Sequence, residues 1–330
     1  MSILVTGGAG YIGSHMVWAL KDAGRDIVVL DDMSTGFRKS IPSDVSFVHG
    51  CVGDEELVSQ LIATHAVDAI IHFAGSIVVP DSISDPLFYY LNNTVRSRAL
   101  ISAAVKNGVK RFVFSSTAAV YGEASDRLLD EEERLNPVSP YGTSKLMTER
   151  MLEDSSKAYG LSYVALRYFN VAGADPMGRS GQSSARATHL IKVASQAALG
   201  LRASLEVFGD DYSTRDGTCV RDYVHVSDLA AAHLLALDHL EAERGNLVAN
   251  CGYGTGNSVL EVVDAVKRIS GVDFPVVRAS RRSGDPASLV AASQRAREVL
   301  NWKPKYSKLD EIVAHALAWE KHIIDHGPPA

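Results

Sequence analysis

Two side chains in this sequence are spaced for proton chemistry. In Ser139-Pro140-Tyr141-Gly142-Thr143-Ser144-Lys145 a tyrosine and a lysine stand four residues apart where a helix begins. Ser139 suits an N-cap and Pro140 the first helical position. The apolar residues Leu146, Met147, Met151 and Leu152 carry the helix towards Gly160. That spacing puts Tyr141 and Lys145 on one face. A free phenol has a pKa of roughly 10 and is a poor base at neutral pH. An ammonium one turn away and the positive end of the helix both favour phenolate. Such a phenol takes a proton from an alcohol while a hydride leaves the same carbon. By itself the pair reads equally well as a packed aromatic beside an incidental lysine.

A hydride needs an acceptor, and the N-terminus supplies a candidate site. Ile3 to Thr6 reads as a short buried strand, followed directly by Gly7-Gly8-Ala9-Gly10-Tyr11-Ile12-Gly13. A helix with apolar Ile12, Met16, Val17 and Leu20 runs to Gly24, and Ile27 to Leu30 forms the second strand of a βαβ unit. Glycines between strand and helix give a tight turn, backbone approach to a pyrophosphate and close helix–strand packing. Asp31, 24 residues after Gly7, stands where a carboxylate accepts from ribose hydroxyls and repels a 2′-phosphate. NAD is therefore favoured, with Arg38 and Lys39 keeping NADP as the alternative.

The elements that position these groups follow an alternating pattern. Strands at Val45–Val48, Ala69–Phe73, Arg111–Ser115 and Ser162–Arg167 alternate with helices at Glu55–Thr64, Pro86–Asn107 and Tyr141–Gly160. Near-continuous apolar strands between amphipathic helices predict an α/β fold, a doubly wound parallel sheet covered on both faces. Ligands bind at the carboxyl ends of such strands. Phe73-Ala74-Gly75, Ser115-Ser116-Thr117 and Tyr168-Phe169-Asn170 all fall at such ends. After Asn170 the pattern changes, with a Gly- and Pro-containing stretch at Val171–Gly181 read as a loop. We divide the chain into 1–170, carrying cofactor and Tyr/Lys pair, and 171–330, a smaller α/β unit with segments returning to the first.

Composition narrows the class. The 330 residues carry a net charge of −6 with no long basic block, against nucleic acid or an anionic membrane as partner. The three cysteines, Cys51, Cys219 and Cys251, have no metal-ligand spacing and read as reduced thiols. A strand beginning at Ile3 leaves no room for a leader, and no apolar run approaches the ~18 residues of a membrane span. A soluble, cytoplasmic protein is expected.

Six separate stretches then fit one pattern: Thr6 to Gly13, Ile71 to Gly75, Phe114 to Gly122, Tyr141 to Lys145, Leu166 to Asn170 and Arg221 to Val226. In this order the chain resembles, along essentially its whole length, the UDP-glucose 4-epimerases of the extended short-chain dehydrogenase/reductase family. The glycine spacing 7, 10, 13 is typical of that family. The resemblance implies a Rossmann-type sheet with a smaller C-terminal substrate-binding domain. It also implies an NAD-dependent cycle without net redox, in which C4 of a UDP-sugar is oxidised to a 4-keto sugar and reduced on its other face. Tyr141 would be the base, Thr117 would bridge it to the sugar hydroxyl, and Lys145 would hold the nicotinamide ribose. Cofactor contacts would come from Gly7, Gly10, Tyr11, Ile12, Gly13 and Asp31 at the first turn. Further ones would come from Val52, Phe73, Ala74, Gly75, Asn92, Ser115, Tyr168 and the Tyr141/Lys145 pair. The UDP-sugar would meet Thr117, Tyr141, Asn170, His189, Phe208, Arg221, Arg282, Asp285 and Ser288, with arginines at the phosphates and Asp285 at the uridine ribose. No metal is implied. The family pairs subunits through the helices at Pro86–Asn107 and Tyr141–Gly160, which makes a homodimer the expected assembly.

This chain departs from the family pattern in places. Cys51 stands where an aspartate usually meets the adenine amino group, with Asp54 nearby. Ile77 replaces a lysine found in some relatives. Ser288 puts a small residue where bulk gates the sugar pocket, leaving room for a 2-acetamido group. Ala118-Ala119 replaces the acid pair that a 4,6-dehydratase needs. A 4-epimerase of another UDP-sugar (N-acetylhexosamine, glucuronate or xylose) and a non-catalytic NAD sensor are the alternative readings.

Overall fold

The glycine-rich turn is the first connection of a parallel sheet. In the computed structural model, which describes residues 2–122, 127–184, 188–282 and 285–329, Ser2–Thr6 (β1) leads into Tyr11–Asp22 (α1) and Asp26–Asp31 (β2). Ser46–His49 (β3), Glu55–His65 (α2) and Val67–His72 (β4) follow. Next come Val79–Ser84 (α3), Pro86–Tyr89 (α4) and Arg96–Lys106 (α5). Arg111–Thr117 (β5), Pro140–Tyr159 (α6) and Ser162–Tyr168 (β6) complete the first half. The second half holds Asn170–Ala172 (β7), Leu190–Ala198 (α7), Leu205–Phe208 (β8), Val220–His225 (β9), Val226–Glu241 (α8) and Leu247–Cys251 (β10). It ends with Gly256–Ser258 (β11), Val259–Ser270 (α9), Val276–Ala279 (β12), Ser288–Leu289 (β13), Gln294–Val299 (α10) and Leu309–His326 (α11).

Seven strands form one parallel sheet in the order β10-β6-β5-β4-β1-β2-β3. The order reverses between β1 and β4, and the crevice opens there, beyond the carboxyl ends of both strands. Alternate residues of each strand face opposite layers. Ile3 and Val5 pack with Met16 and Val17 of α1 and Leu229 and Leu237 of α8. Leu4 packs on the other side with Val58 of α2, Leu100 of α5 and Leu152 of α6. A separate apolar cluster joins α7, α9 and α11 to β8. There β11, β9 and β13 form a small sheet with β7 also paired to β9, and β8 pairs β12. Chain from the second half returns to the large sheet, since β10 pairs β6 with Leu247 opposite Val164. Among the described residues no helix is long and apolar enough to cross a membrane.

One local reading gains detail and one needs correction. The helical stretch expected over Pro86–Asn107 runs unbroken from Pro86 to Lys106, but Tyr90–Val95 widens into π-helical turns between α4 and α5. Such turns recur at functional sites, and this one turns Asn93 inward and fully buries it. The loop expected over Val171–Gly181 begins as strand β7, because Val171 and Ala172 are buried against β9. The chain turns away only at Gly173, whose positive φ of 90° and contact with the His225 ring leave no room for a Cβ.

Five histidines are buried inside these layers, and four of them are shifted far. Burial pushes His15 and His233 down to about 4, and His72 and His225 to about 3. The folded chain therefore refuses protons that the unfolded chain accepts below its own histidine value near 6.5. Their contribution to stability is complete above that pH and is lost as pH falls, by about 1.4 kcal/mol per pH unit for each histidine. Thermal unfolding followed by circular dichroism is expected to show Tm dropping by more than ~10 °C between pH 7 and pH 5. A flat profile over that range would contradict neutral burial.

Candidate active site

The cofactor side is built from backbone. Gly7 has φ 67°, and a Cβ there would lie 2.6 Å from the Ala74 nitrogen. The N–H groups of Phe73 and Ala74 donate to Thr6 O at 2.9 and 3.2 Å, so the chain leaving β4 crosses directly over the end of β1. A Cβ on Gly13 would lie 2.1 Å from Gly7 O, which fixes how closely α1 seats on the turn. Gly10 caps α1 with no side-chain bond, leaving the first N–H groups of a 12-residue helix turned towards the crevice. The buried Asp31 carboxylate accepts from Ala9 N at 2.9 Å and Met33 N at 2.8 Å, holding it at the end of β2. Burial raises its pKa and these N–H groups oppose the rise. This donor set and bare backbone fit a dinucleotide.

Other cofactor candidates lie around the same turn. The Tyr11 hydroxyl donates to Gly173 O at 2.7 Å, tying the glycine turn to the end of β7. Ile12 packs on the core beneath the turn, and Val52 is buried against the α2 side, so their side chains serve packing. Asn92 Nδ2 donates to Ser76 Oγ at 2.8 Å, one residue beyond Gly75. Its neighbour Asn93, which the sequence reading passed over, holds both Ser76 N and Ser76 O, at 2.8 and 2.9 Å, and reaches Ser144 Oγ at 3.1 Å. The adjacent Asn-Asn pair in an otherwise amphipathic helix was the available signal. Cys51 Sγ accepts from Gly53 N at 3.3 Å. Asp54 nearby is the N-cap of α2, its carboxylate accepting from Leu57 N at 3.0 Å. Ile77 lies exposed.

The catalytic candidates converge at the end of β5. Ser139 Oγ accepts from Gly142 N at 3.2 Å, so α6 begins as the sequence predicts. Thr117, Tyr141 and Lys145 are all buried. Lys145 Nζ donates to Ser115 O at 2.9 Å and lies 5.0 Å from the centre of the Phe114 ring. Ser115 Oγ is hydrogen-bonded to Tyr168 OH, joining β5 to β6. Burial lowers the Lys145 pKa to about 8. It raises that of Tyr141, with a hydrogen bond from Thr117 in opposition. The ammonium expected, together with the helix end, to favour phenolate donates to the Ser115 carbonyl, and burial is the largest influence on the phenol.

The substrate candidates gather along β9. Asn170 pairs opposite Tyr223, Ser288 opposite Val220, and Leu289 opposite Arg221. The buried Arg221 guanidinium donates to Val220 O at 2.9 Å and lies 3.5 Å from the Asp285 carboxylate. The Arg282 guanidinium covers the half-buried Phe208 ring at 3.7 Å from its centre, so Phe208 is a partly open platform. His189 caps α7, shares a hydrogen bond of 2.6 Å with Gln182 and is lowered to about 4 by burial. Among the described residues no three metal-ligating side chains come together.

Comparison with known proteins places this geometry. Residues 3–252 match the NAD dependent epimerase/dehydratase family. The chain belongs to that family. Within it, the UDP-glucose 4-epimerase of Azospirillum brasilense is 56% identical, over 97% of this chain and 92% of that one. The crystal structure of UDP-glucose 4-epimerase from Brucella ovis in complex with NAD superposes with TM-score 0.93 at 44% identity, covering 96% of this chain and 97% of that one. The UDP-Glc/GlcNAc 4-epimerase of Campylobacter jejuni gives TM-score 0.84 at 46% identity, covering 97% and 99%.

The turn's geometry makes Gly13→Ala a direct test. The methyl would meet backbone on two sides, Gly7 O and Gly8 Cα. NAD affinity measured by calorimetric titration is expected to fall at least ~100-fold, the scale of losing a preformed anion cradle. Affinity close to that of the unaltered protein would remove the turn as the pyrophosphate seat.

Proposed function

We propose that this chain is an NAD-dependent 4-epimerase that interconverts UDP-glucose and UDP-galactose through a transient 4-keto sugar. The observation that carries the reading is the buried convergence of Thr117, Tyr141 and Lys145 at the mouth of the β1/β4 crevice. Bound NAD supplies reversible hydride acceptance. Tyr141 takes the proton of the sugar 4-hydroxyl and later returns it, with Thr117 holding the same oxygen in line. Lys145, tied to the end of β5, orients the ribose of the cofactor. The phenol, raised by burial, would ionise more readily beside a further positive charge, which an oxidised nicotinamide held in the crevice would supply. Residues 1–170 carry the cofactor and base, while β9 and its partners from 171–330 hold UDP through Arg221, Arg282, Asp285 and Asn170. We place the protein in the cytoplasm.

A second reading concerns the sugar. Ser288 is small, and Leu289, next along β13, packs with Ala118 and Phe169. Alternation along the strand turns Ser288 to the opposite side, consistent with room for a 2-acetamido group. The dual naming of the Campylobacter jejuni relative favours the same breadth. Purified protein given UDP-galactose without added reductant is expected to yield UDP-glucose at equilibrium, and UDP-N-acetylglucosamine to turn over as well. Tyr141→Phe is expected to lower kcat by about 10²–10⁴-fold, the range for losing a general base. Turnover of UDP-glucose alone would end the acetamido reading, and no turnover of either would leave the sensor alternative standing.

We further propose a homodimer. Leu87, Phe88, Leu91 and Val95 are exposed along the α4–α5 stretch, and Met147 is exposed on the neighbouring α6. Leu87, Leu91 and Val95 recur every four residues, and Thr94 contacts Met147, which brings the two helices' exposed apolar residues side by side. An apolar strip of this kind needs cover, and a second copy offers the same strip in return. Light scattering is expected to give twice the chain mass for the unaltered protein and the single chain mass for Leu91→Arg/Val95→Arg. A monomeric unaltered protein would refute the assembly.

A further inference from the structure

A buried ion pair lies beneath the catalytic groups, outside every contact described above. Glu149 and Arg167 are 6% and 5% exposed at their side chains. The pair is bidentate, with Arg167 Nε to Glu149 Oε1 at 2.9 Å and Nη2 to Oε2 at 2.7 Å. Ser116 Oγ also donates to Glu149 Oε1. Arg167 Nη1 continues to Tyr121 OH at 3.2 Å, and Tyr121 OH donates to Asn250 Oδ1 at 2.6 Å. One polar network thus joins α6, β5, β6, the turn after Thr117 and β10.

Its members stand next to the working groups. Glu149 lies one turn beyond Lys145 and two beyond Tyr141, on the same helix face. Ser116 sits between Ser115, whose carbonyl holds Lys145, and Thr117. Packed apolar side chains alone would let α6 slide or rotate slightly along the sheet. A bidentate carboxylate–guanidinium bond has one geometry and tolerates neither motion. Burying two charges is costly, and well-packed apolar residues of similar size are often at least as stable. Stability therefore does not explain the pair. We propose that Glu149 and Arg167 are positioning residues that set the height and rotation of α6, and with it the distance from Tyr141 to Thr117 and from Lys145 to the end of β5. The inference rests on the reading of Tyr141 as the base.

Removing one partner would strand a buried charge, so the test removes both. Glu149→Leu/Arg167→Met is expected to fold, with unchanged NAD content and Tm. Its kcat is expected to be lower by about 100-fold, the effect of a misplacement near 1 Å, with KM for UDP-galactose within about threefold of the original. Ser116→Ala keeps the ion pair, frees one edge of it, and is expected to lower kcat by about tenfold at unchanged Tm. A folded double variant with full kcat overturns the proposal. If the double variant fails to fold, Ser116→Ala decides alone, and full kcat there overturns it too. Tyr141→Phe assayed alongside separates the claims. Activity retained in Tyr141→Phe overturns both the base and the positioning built on it. An inactive Tyr141→Phe beside a fully active double variant overturns the positioning alone.

Discussion

The structure depends on one close backbone contact, where the chain leaving β4 crosses the end of β1. Both Phe73 N and Ala74 N donate to Thr6 O, and Gly7 lies against Ala74 at a distance no side chain permits. Two strands of a parallel sheet are thereby held together at the point where their connections diverge. The helix that follows Gly10 must start directly above, with its free N–H groups over the crevice. Everything that handles the cofactor is measured from that crossing. Asp31 is held by Ala9 N within the same turn, and Tyr11 reaches out of it to Gly173. That hydroxyl adds a tie between the halves beside the pairing of β10 with β6 and the packing of α8 on α1.

Burial, more than pairing, sets the protonation of this site. Lys145 and Tyr141 are pushed in opposite senses, each towards its neutral form. That follows from placing titratable groups between a parallel sheet and its covering helix, where little water reaches. A base held towards its neutral form at rest would suit a reaction that must not begin before the cofactor is loaded, as the proposed function requires. His72 belongs to the same layer. Held neutral between Thr6 and Ser97, it bridges β1 to the first turn of α5 without adding charge beneath Lys145. Glu149 and Arg167 are the exception, since pairing with one another dominates their surroundings.

What could be read from sequence divides by range. The parallel sheet, the glycine turn and the Tyr141 helix were legible because each is announced locally, by apolar runs, by Gly7, Gly10 and Gly13, and by Ser139-Pro140. The UDP side was legible only through resemblance, because Asn170, Arg221, Asp285 and Ser288 meet through pairing with β9, and no periodicity encodes a partner strand. Three things were missed for physical reasons. The π-helical turns at Tyr90–Val95 keep the amphipathic pattern that signals an ordinary helix. Asn93 is one of two adjacent asparagines, and only burial distinguishes them. Glu149 looks like a solvated helical carboxylate until Arg167, eighteen positions later, is placed beneath it.

The phenol's environment also explains why the lysine sits where it does. A lysine aimed at the phenolate would stabilise it permanently and leave a charged base in the resting site. Aimed instead at Ser115 O, the ammonium is anchored to β5. Under the proposed function, an oxidised nicotinamide held beside the phenol would supply the remaining positive charge, and Tyr141 would hold the proton of the sugar hydroxyl and return it to either face. An epimerase requires that symmetry, because the proton must go back as readily to either stereoisomer.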